Sequence, residues 1–278
     1  MKLLIFGDVF GKLGRAGVKT ILPKWREKFS PDVVIANIEN IAHGKGIGIK
    51  QINELREAGV NIFTGGNHSL EGKDFEKVLN DETVPVLRPA NIPNAPGRGA
   101  EIFQVKQNKL LVINLIGQVF MKQQYDSPFD AVDKILKEYG RATLFKILDW
   151  HADATSEKTV MGWYLDGKVS LVYGTHSHVP TADAKILPNG TAYISDIGMT
   201  GPLNSVIGVE IEPSFLRFSA KGGSAFGGKN NVKTKINPVE SGPIEINAIF
   251  VEISEKPPEA GKAVDIRHLR EIVSTYKI

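Results

Sequence analysis

The sequence predicts an α/β fold built around a parallel β-sheet. In the first third of the chain, short apolar runs alternate with segments of helical spacing, which is the pattern of βαβ units with right-handed crossovers. Several apolar runs stop at glycine or at a polar motif, as buried strands do. The chain has 278 residues, of which 42% are hydrophobic and 23% charged, as in ordinary globular proteins. A chain of this length can bury a large core without disulfides.

The first third contains three predicted strands and three predicted helices. The strands are short apolar or β-branched runs, at residues 3–6, 32–36 and 60–64. The helices follow them, at residues 16–29, 51–58 and 72–79. In the first helix, Val18, Ile21, Leu22 and Trp25 share one face, which we expect to pack on the sheet.

The rest of the chain mixes hairpins with further strands and helices. We predict hairpins from residues 100–105 with 109–115, and from residues 184–187 with 191–194, the second turning at Pro188-Asn189-Gly190. A helix is predicted at 128–139, with Ala131, Ile135 and Leu136 as its apolar face. Further strands are predicted at 143–148, 169–173 and 244–253, a terminal helix carrying a structural His268 at 264–273, and a mobile loop at 222–231.

Composition excludes several classes of protein. The formal net charge is only +3, so binding to nucleic acid through bulk charge is not indicated. The absence of cysteine excludes disulfides, thiolate zinc sites, iron–sulfur clusters and a cysteine nucleophile. No apolar run approaches the roughly 18 residues of a membrane span, and Gly7-Asp8 interrupts the N-terminal run before a signal peptide could form. We therefore expect a cytoplasmic protein that does not enter membranes.

We expect one domain over residues 1–278. The β-rich stretches within 97–118 and 203–240 are the candidates for a small accessory lobe, with boundaries that the sequence does not define. No linker or internal repeat divides the chain.

Polar motifs follow five of the apolar runs directly. They are Gly7-Asp8, Asn37-Ile38-Glu39-Asn40, Gly65-Gly66-Asn67-His68, Asp149-Trp150-His151 and Thr175-His176-Ser177-His178. In open α/β sheets, sites form beyond the carboxyl ends of the strands. Carboxylates, amides and four of the six histidines should therefore meet at one edge.

These residue types fit a metal site better than four unrelated structural histidines. Histidine with carboxylates and no thiolate suits manganese, iron or zinc, and one carboxylate can bridge two cations. In an extended segment, His176 and His178 would point the same way and reach two adjacent metals. Two metals about 3.5–4 Å apart can activate a water and hold a phosphate for in-line attack.

The joint pattern resembles the calcineurin-like metallophosphoesterases and, more narrowly, the bacterial YmdB-like phosphodiesterase family. The superfamily has a histidine two residues after the first aspartate, where this chain has Phe10; in the narrower family, Asn40 is the compensating ligand. The matching stretches, in the family's order, are 7–15, 37–40, 65–68, 149–155, 157–158, 174–178 and 193–201.

The resemblance implies a layered α/β/β/α metallophosphoesterase sandwich with a small accessory lobe. It implies one metal held by Asp8, Glu39, Asn40 and His178. Glu39 would bridge to a second metal, which Asn67, His151 and His176 also hold. His68 would contact the phosphate and protonate the leaving oxygen.

The resemblance also implies an activity. Two iron or manganese ions would support hydrolysis of a small phosphodiester such as 2′,3′-cyclic AMP, with a bridging hydroxide attacking phosphorus. The family is cytoplasmic, tends to form oligomers and is linked to RNA turnover, although RNA binding is not indicated by charge here. Two alternatives stay open: a metal-stabilised regulatory protein that binds nucleotide or RNA, and a phosphomonoesterase.

Other glycine and serine motifs do not support competing enzymes. Gly7, Gly11 and Gly14 lack the spacing of a dinucleotide-binding loop, and Gly11-Lys12 is not a phosphate-binding P-loop. Ser224 lacks the frame of a serine hydrolase nucleophile, because Phe226 occupies the last glycine position.

Three further features have two interpretations each. Arg15 either caps a phosphate or is a solvated residue at a helix start. The segment 43–48 either closes over a substrate or is a surface turn. Asp183 and Asp196 either hydrogen-bond the ligand histidines or cap turns.

Overall fold

The computed structural model describes residues 1–219 and 235–276, in which strands and helices alternate from the N-terminus. The predicted mobile loop at 222–231 and Ser224 lie outside the described residues. In chain order the elements are β1 (Lys2–Phe6), α1 (Gly11–Phe29), β2 (Val33–Asn37), α2 (Ile49–Ala58), β3 (Ile62–Thr64), α3 (Phe75–Asn80), β4 (Ala100–Val105), β5 (Asn108–Ile116), α4 (Pro128–Tyr139), β6 (Phe145–His151), α5 (Thr155–Tyr164), β7 (Leu171–Thr175), β8 (Lys185–Ile186), β9 (Ala192–Ile194), β10 (Gly201–Pro202), α6 (Ile211–Phe218), β11 (Gly242–Ile253) and β12 (Ala263–Tyr276).

The described strands form two six-stranded sheets. In the first, β1, β2 and β3 are parallel neighbours, β11 runs antiparallel to β1, and β10 and β12 both pair with β11. The second has the order β4-β5-β6-β7-β9-β8, with β5, β6, β7 and β9 parallel. The parallel sheet predicted from the βαβ pattern is therefore present, once in each half of the fold.

Alternation along the strands creates four layers. In β1, Leu4 and Phe6 face the core formed with the buried side of α1 and α2, whereas Leu3 and Ile5 face the second sheet. The other face of the second sheet packs on α4 and α5, where Val132 and Met161 are fully buried. Helix, sheet, sheet and helix thus stack in the predicted α/β/β/α order.

Local signals explain where helices α4 and α3 begin. The Ser127 side chain accepts a hydrogen bond from Asp130 N, and Pro128 occupies the first turn of α4, where its missing N–H costs nothing. Helix α1 begins earlier than predicted and contains Pro23 in its interior. Helix α3 begins at Phe75 rather than at residue 72, because Gly72 has a left-handed backbone with φ of +105°.

The predicted C-terminal helix at 264–273 is wrong. These residues belong to β12, which pairs antiparallel with β11 over most of its length, including Leu269 opposite Ala248. The segment is rich in β-branched residues, and the apolar spacing that suggested a helix is also compatible with a strand that is only half covered. His268 therefore lies on a strand, where its Nε2 contacts the Ile197 carbonyl oxygen at 3.1 Å.

The two stretches considered for an accessory lobe have different positions. Residues 100–116 form β4 and β5, which belong to the second sheet. The other stretch, within 203–240, contains the turn that follows β10 and then helix α6. Part of this stretch lies outside the described residues. The single domain and its lobe stay predictions. No helix among the described residues is long and apolar enough to cross a membrane.

Candidate metal centre

The carboxyl ends of the parallel strands bring the predicted site residues together. Asp8 follows β1, Glu39 and Asn40 follow β2, and Asn67 and His68 follow β3. His151 is the last residue of β6, and His176 and His178 follow β7. The strand-end rule thus brings the predicted ligands from both sheets together at one edge of the sandwich.

The first of two groups surrounds the buried imidazole of His151. Its Nε2 lies 2.9 Å from Asn67 Oδ1, 3.0 Å from His176 Nδ1 and 3.2 Å from Glu39 Oε2. The imidazole of His151 is fully buried, and that of His176 is partly exposed. Four potential ligand atoms therefore converge on one small region.

The second group contains Asp8, Glu39 and His178, with Asn40 beside them. Asn40 Nδ2 lies 2.8 Å from Glu39 Oε1 and 3.2 Å from His178 Nε2. Within each group, the carboxylate and imidazole ligand atoms all lie within 4.8 Å of one another. Glu39 belongs to both groups, with one carboxylate oxygen turned to each, which is the arrangement that a bridging ligand requires.

Two observations show that these residues fit bound cations. Asp8 is fully buried, yet its Oδ1 has no hydrogen-bond partner in the described structure, and a buried carboxylate oxygen is costly unless a positive charge faces it. A Cβ added at Gly66 would lie 2.3 Å from both Glu39 Oε2 and His151 Nε2. The missing side chain at Gly66 leaves the space in which these ligand atoms meet.

The two neighbouring histidines do not reach the groups in the way predicted. Strand β7 ends at Thr175, and His176 and His178 have φ of +99° and +65°, so this segment is not extended. His176 turns its Nδ1 toward His151, whereas His178 turns its Nε2 toward Asn40. The left-handed backbone, rather than a shared strand face, sends each ring to a different group.

A buried ion pair supports this unusual backbone. Lys158 on α5 donates to the Thr175 carbonyl oxygen (2.9 Å) and to Asp196 Oδ2 (2.6 Å), and Asp196 also accepts from the N–H of Ser177 (3.1 Å) and of Gly198 (2.8 Å). Asp196 therefore holds the main chain between the histidines rather than their rings. Asp183 accepts from Ser195 and Thr181 and so caps a turn.

A second buried network orients His151. Thr175 Oγ1 lies 2.9 Å from His151 Nδ1 and donates to Asp149 Oδ1 at 2.7 Å. Because the Thr175 proton goes to Asp149, its oxygen is left to accept from His151, and Nδ1 of His151 carries the proton. Thr64 and Asn37 donate to the other oxygen of Asp149, at 2.5 and 3.0 Å. Nε2 of His151 is thereby left as a ligand atom.

The contacts of His178, like those of His151, place the ring proton on Nδ1. Its Nδ1 contacts the Ile207 carbonyl oxygen at 2.9 Å, and a carbonyl oxygen can only accept. The proton of neutral His178 is therefore on Nδ1, which leaves Nε2 free toward Glu39 and Asn40.

The charges at this edge favour a positive occupant. Burial alone would raise the pKa of Glu39, but His151 and then His68 outweigh it and hold that pKa well below its usual range. Burial by itself would lower the pKa of His151, yet Glu39, Asp8 and Asp149 raise it to about 8. Burial and the neighbouring His151 lower the pKa of His176 to about 3, so this ring stays neutral.

The pKa values of two further buried carboxyl groups, the predicted ligand Asp8 and the supporting Asp149, respond mainly to burial. Burial raises the pKa of Asp8, although His178 and His151 oppose that shift. Burial also raises the pKa of Asp149 to about 6, against the hydrogen bond from Thr64 and the charge of His151. Both carboxyl groups are therefore stabilised as anions when positive charge is nearby.

A cavity of about 490 Å³ opens over the two groups. Glu39, Asn40, His68, His176 and His178 line it on the ligand side. The remaining lining residues come from four segments around it: Phe10, Gly44, Lys45, Ile207, Val209, Arg217 and Ile236. The volume lies within the range of small-molecule sites.

Two of the features with open interpretations are resolved by their contacts. Arg15 pairs with Glu54 at 2.7 Å and donates to the Ile41 carbonyl oxygen at 2.7 Å, so it is neither solvated nor turned to a ligand. Residues 43–48 form a tight surface turn whose Gly44 and Lys45 contribute to the cavity wall.

Sequence reasoning missed the residues that support the ligands. His68 Nδ1 lies 2.7 Å from Glu71 Oε1, three residues later. Thr175, Asp149 and Lys158 were part of matching motifs, but nothing in a linear pattern predicts that they contact His151 or the histidine turn. Their contacts cross between strands and helices and follow only from the packing.

Two facing sheets between helical layers, with paired ligand groups at the carboxyl ends of the strands, define the metallophosphoesterase class of hydrolases, to which this enzyme belongs. Comparison with known families makes the assignment narrower. Residues 4–269 match the model of the YmdB-like protein family, and the chain belongs to that family.

Three relatives show how closely the chain follows known proteins. It is 39% identical over 264 residues to the 2′,3′-cyclic-nucleotide 2′-phosphodiesterase of Bacillus subtilis (strain 168), covering 94% of this chain and 95% of the relative. The crystal structure of a hypothetical protein from Thermus thermophilus is 37% identical, with a TM-score of 0.86 and coverage of 98% and 99%. A novel phosphatase from Mycoplasma pneumoniae is 32% identical, with a TM-score of 0.87 and coverage of 99% and 94%.

Proposed function

We propose that this enzyme hydrolyses small phosphodiesters, with 2′,3′-cyclic nucleotides as the substrate class, by means of two bound metal ions. Glu39 is the observation that carries the proposal, because it is common to two groups of ligand atoms that each fit one cation. The relative from Bacillus subtilis, a 2′,3′-cyclic-nucleotide 2′-phosphodiesterase, supports the substrate class.

The contacts support the ligand sets that the resemblance implies. Asp8, Glu39, Asn40 and His178 would hold one ion, and Glu39, Asn67, His151 and His176 would hold the other. These nitrogen and oxygen donors include no thiolate, which suits iron or manganese. When bound, two such ions supply a water of lowered pKa as the nucleophile and withdraw charge from the phosphoryl oxygens.

His68 is the proposed acid for the leaving oxygen. It lines the cavity, and Glu71 accepts from its Nδ1 at 2.7 Å, which leaves Nε2 as the atom that can transfer a proton. Water adds to phosphorus, the bond from phosphorus to one ribose oxygen breaks, and that oxygen takes the Nε2 proton of His68 in its imidazolium form. The proton that the water loses restores the imidazolium, so that the net change is the addition of one water molecule. A 2′,3′-cyclic phosphate would thus open to a single phosphomonoester.

The finer properties of the protein are also proposals. We propose that it works in the cytoplasm, with which the cysteine-free sequence is compatible, and that it forms a homo-oligomer, as expected from its family. A role in RNA binding is not supported by the net charge of +3.

The test is metal content together with hydrolysis of bis-p-nitrophenyl phosphate and 2′,3′-cyclic AMP, on the wild type and Glu39→Gln in parallel. We expect about two ions per wild-type chain after loading with manganese or iron, and activity that a chelator removes. Glu39→Gln should lose metal and activity, because both groups share this carboxylate. Glu27→Gln, on the exposed side of α1, is the matched control.

Three outcomes would contradict the proposal in different ways. A loaded wild type without activity would favour the regulatory nucleotide- or RNA-binding protein. Faster hydrolysis of p-nitrophenyl phosphate than of either diester would favour the phosphomonoesterase. Full activity and metal content in Glu39→Gln would show that the ligands are wrongly assigned.

A further inference from the structure

The cavity over the metal ligands also has two cationic side chains that the proposed reaction does not use. Lys45 lies in the turn after β2, and Arg217 lies in the last turn of α6. Neither side chain makes a hydrogen bond or an ion pair with any described residue, although the Lys45 backbone N–H donates to the Ala42 carbonyl oxygen at 3.1 Å. The undescribed residues 220–234 contain no aspartate or glutamate that could pair with Arg217.

Two other cations near this edge are paired with a shared acceptor. Arg15 and Lys19, on the neighbouring face of α1, share the carboxylate of Glu54, with contacts of 2.7 and 3.0 Å. The rim of the cavity, in contrast, keeps two positive charges that no described residue neutralises. Unpaired cations grouped in a cleft favour binding of anions.

Lys45 extends from a well-fixed backbone. Gly44 and Gly46 on either side of it have left-handed φ of +83° and +78°, and a Cβ at Gly46 would lie 2.4 Å from the Glu71 carbonyl oxygen. Ile47 N donates to that same carbonyl oxygen at 3.2 Å. The turn is packed against the segment after His68, so the position of Lys45 relative to the ligands is set by the fold.

Arg217 is connected to His178 through the segment that precedes its helix. The segment before α6 accepts from His178 through the Ile207 carbonyl oxygen at 2.9 Å. Glu210, at the start of the helix, contacts Asn237 through both backbone and side chain, at 3.0 Å each. Lys45 and Arg217 therefore come from separate segments that are both attached to the site.

The same wall carries apolar side chains. Ile207, Val209 and Ile236 line the cavity together with the cations. An apolar surface suits a ribose and a base, whereas the metal ligands and the cations each suit a phosphate. The cavity therefore has one place for the scissile phosphate and another for a second anionic group.

We propose that Lys45 and Arg217 form a subsite for a second phosphate, so that the preferred substrate is a nucleotide carrying one phosphate besides the scissile one. This rests on the proposed function for the identity of the scissile group. A 5′-phosphate on the same nucleoside and the internucleotide phosphate of an oligonucleotide end offer the same chemistry to the two cations.

The test measures binding, which does not depend on turnover. The manganese-loaded protein is titrated with adenosine 3′-phosphate, with adenosine 3′,5′-bisphosphate, and with the dinucleotide ApA bearing a 3′-phosphate. The double variant Lys45→Met/Arg217→Met is compared with Lys137→Met/Arg141→Met, which removes the same charges from exposed positions in and after α4. Hydrolysis of 2′,3′-cyclic AMP with and without a 5′-phosphate is measured on the wild type and both double variants.

We expect one or both of the ligands with two phosphates to bind the wild type about tenfold more tightly than adenosine 3′-phosphate, as two partly exposed ion pairs allow. The preference should shrink with added salt and should disappear in the Lys45/Arg217 variant but not in the control. Preference for the bisphosphate identifies a 5′-phosphate; preference for the dinucleotide identifies an oligonucleotide end.

Equal affinity for all three ligands, or a preference that survives in the Lys45/Arg217 variant, would overturn the subsite. Equal loss in the control pair would do the same, because it would reflect general charge. Failure of the proposed function has a different signature, since it leaves 2′,3′-cyclic AMP intact while the binding preference remains measurable.

Discussion

Replacement of Thr175 by valine tests how His151 is held for metal binding. Valine keeps the shape of threonine but removes the hydroxyl that lies 2.9 Å from His151 Nδ1 and donates to Asp149 Oδ1 at 2.7 Å. Both Asp149 and His151 are fully buried, so water cannot replace the lost partner. The variant leaves one buried N–H without an acceptor and removes one donor from a buried carboxylate.

The expected magnitude follows from these two losses. A buried polar group without a partner costs about 1–3 kcal/mol, and Thr64 and Asn37 still donate to Asp149, so we expect a total near the upper part of that range. Loss of the group that orients a metal-binding histidine typically costs about 10–100-fold in metal affinity or activity. Thr175→Val should therefore lower metal affinity far more than its stability loss alone would explain.

The assay combines urea unfolding, metal content after equilibrium dialysis, and hydrolysis of bis-p-nitrophenyl phosphate. Thr175→Ser is the matched control, because it keeps the hydroxyl and loses only the methyl group. It should recover most of the metal affinity. If Thr175→Val binds metal and hydrolyses the substrate within twofold of the wild type, or if Thr175→Ser fails equally, the hydroxyl does not orient His151.

Three further predictions concern the space left by Gly66, the buried Lys158–Asp196 ion pair, and the dependence of stability on pH through His268. Gly66→Ala should reduce activity about 100-fold, because its Cβ would collide with Glu39 and His151; Gly48→Ala, whose Cβ meets only the flexible end of Gln51, is the control in the same kinetic assay. Lys158→Met should cost about 3–5 kcal/mol in urea unfolding, because Asp196 keeps a buried charge, and adding Asp196→Asn should recover part of that loss; no recovery would contradict the charge argument. Burial and the charge of Arg270 lower the pKa of His268 below 6.5 in the folded protein, against the opposing effects of the Ile197 carbonyl and Glu245. The contribution of neutral His268 to stability is therefore complete above pH 6.5 and is lost as the pH falls. His268→Gln should flatten the fall in unfolding free energy below pH 6.5, and an unchanged slope would show that another group titrates.

The sequence was sufficient to predict the parts of the fold that follow from local periodicity. The βαβ order, both hairpins and helix α4 could be predicted because their apolar spacing and turn residues act within a few positions. Strand β12 could not, because its structure depends on pairing with β11. An edge strand covered on part of its surface has no strict alternation, and its apolar spacing also fits a helix.

In the candidate site, too, the positions of residues along the chain could be predicted, whereas a conformation that depends on tertiary contacts could not. Every predicted ligand lies at a strand end, and the strand-end rule needs only the order of strands and the residues that follow them. The rule predicted the meeting of Glu39 with His151, although they come from different sheets. It could not predict the conformation of His176 and His178, because no local signal marks these two residues for a left-handed backbone.

The buried Lys158–Asp196 pair accounts for that conformation better than it accounts for stability. Two buried charges gain little over a well-packed apolar pair, since both must leave water. A hydrophobic replacement would also leave the N–H groups of Ser177 and Gly198 and the carbonyl of Thr175 without partners. The Thr175 carbonyl and the Ser177 N–H bracket His176, and the left-handed backbone at a non-glycine residue costs about 1–2 kcal/mol. The ion pair thus compensates for strain in the segment that turns one histidine to each ligand group.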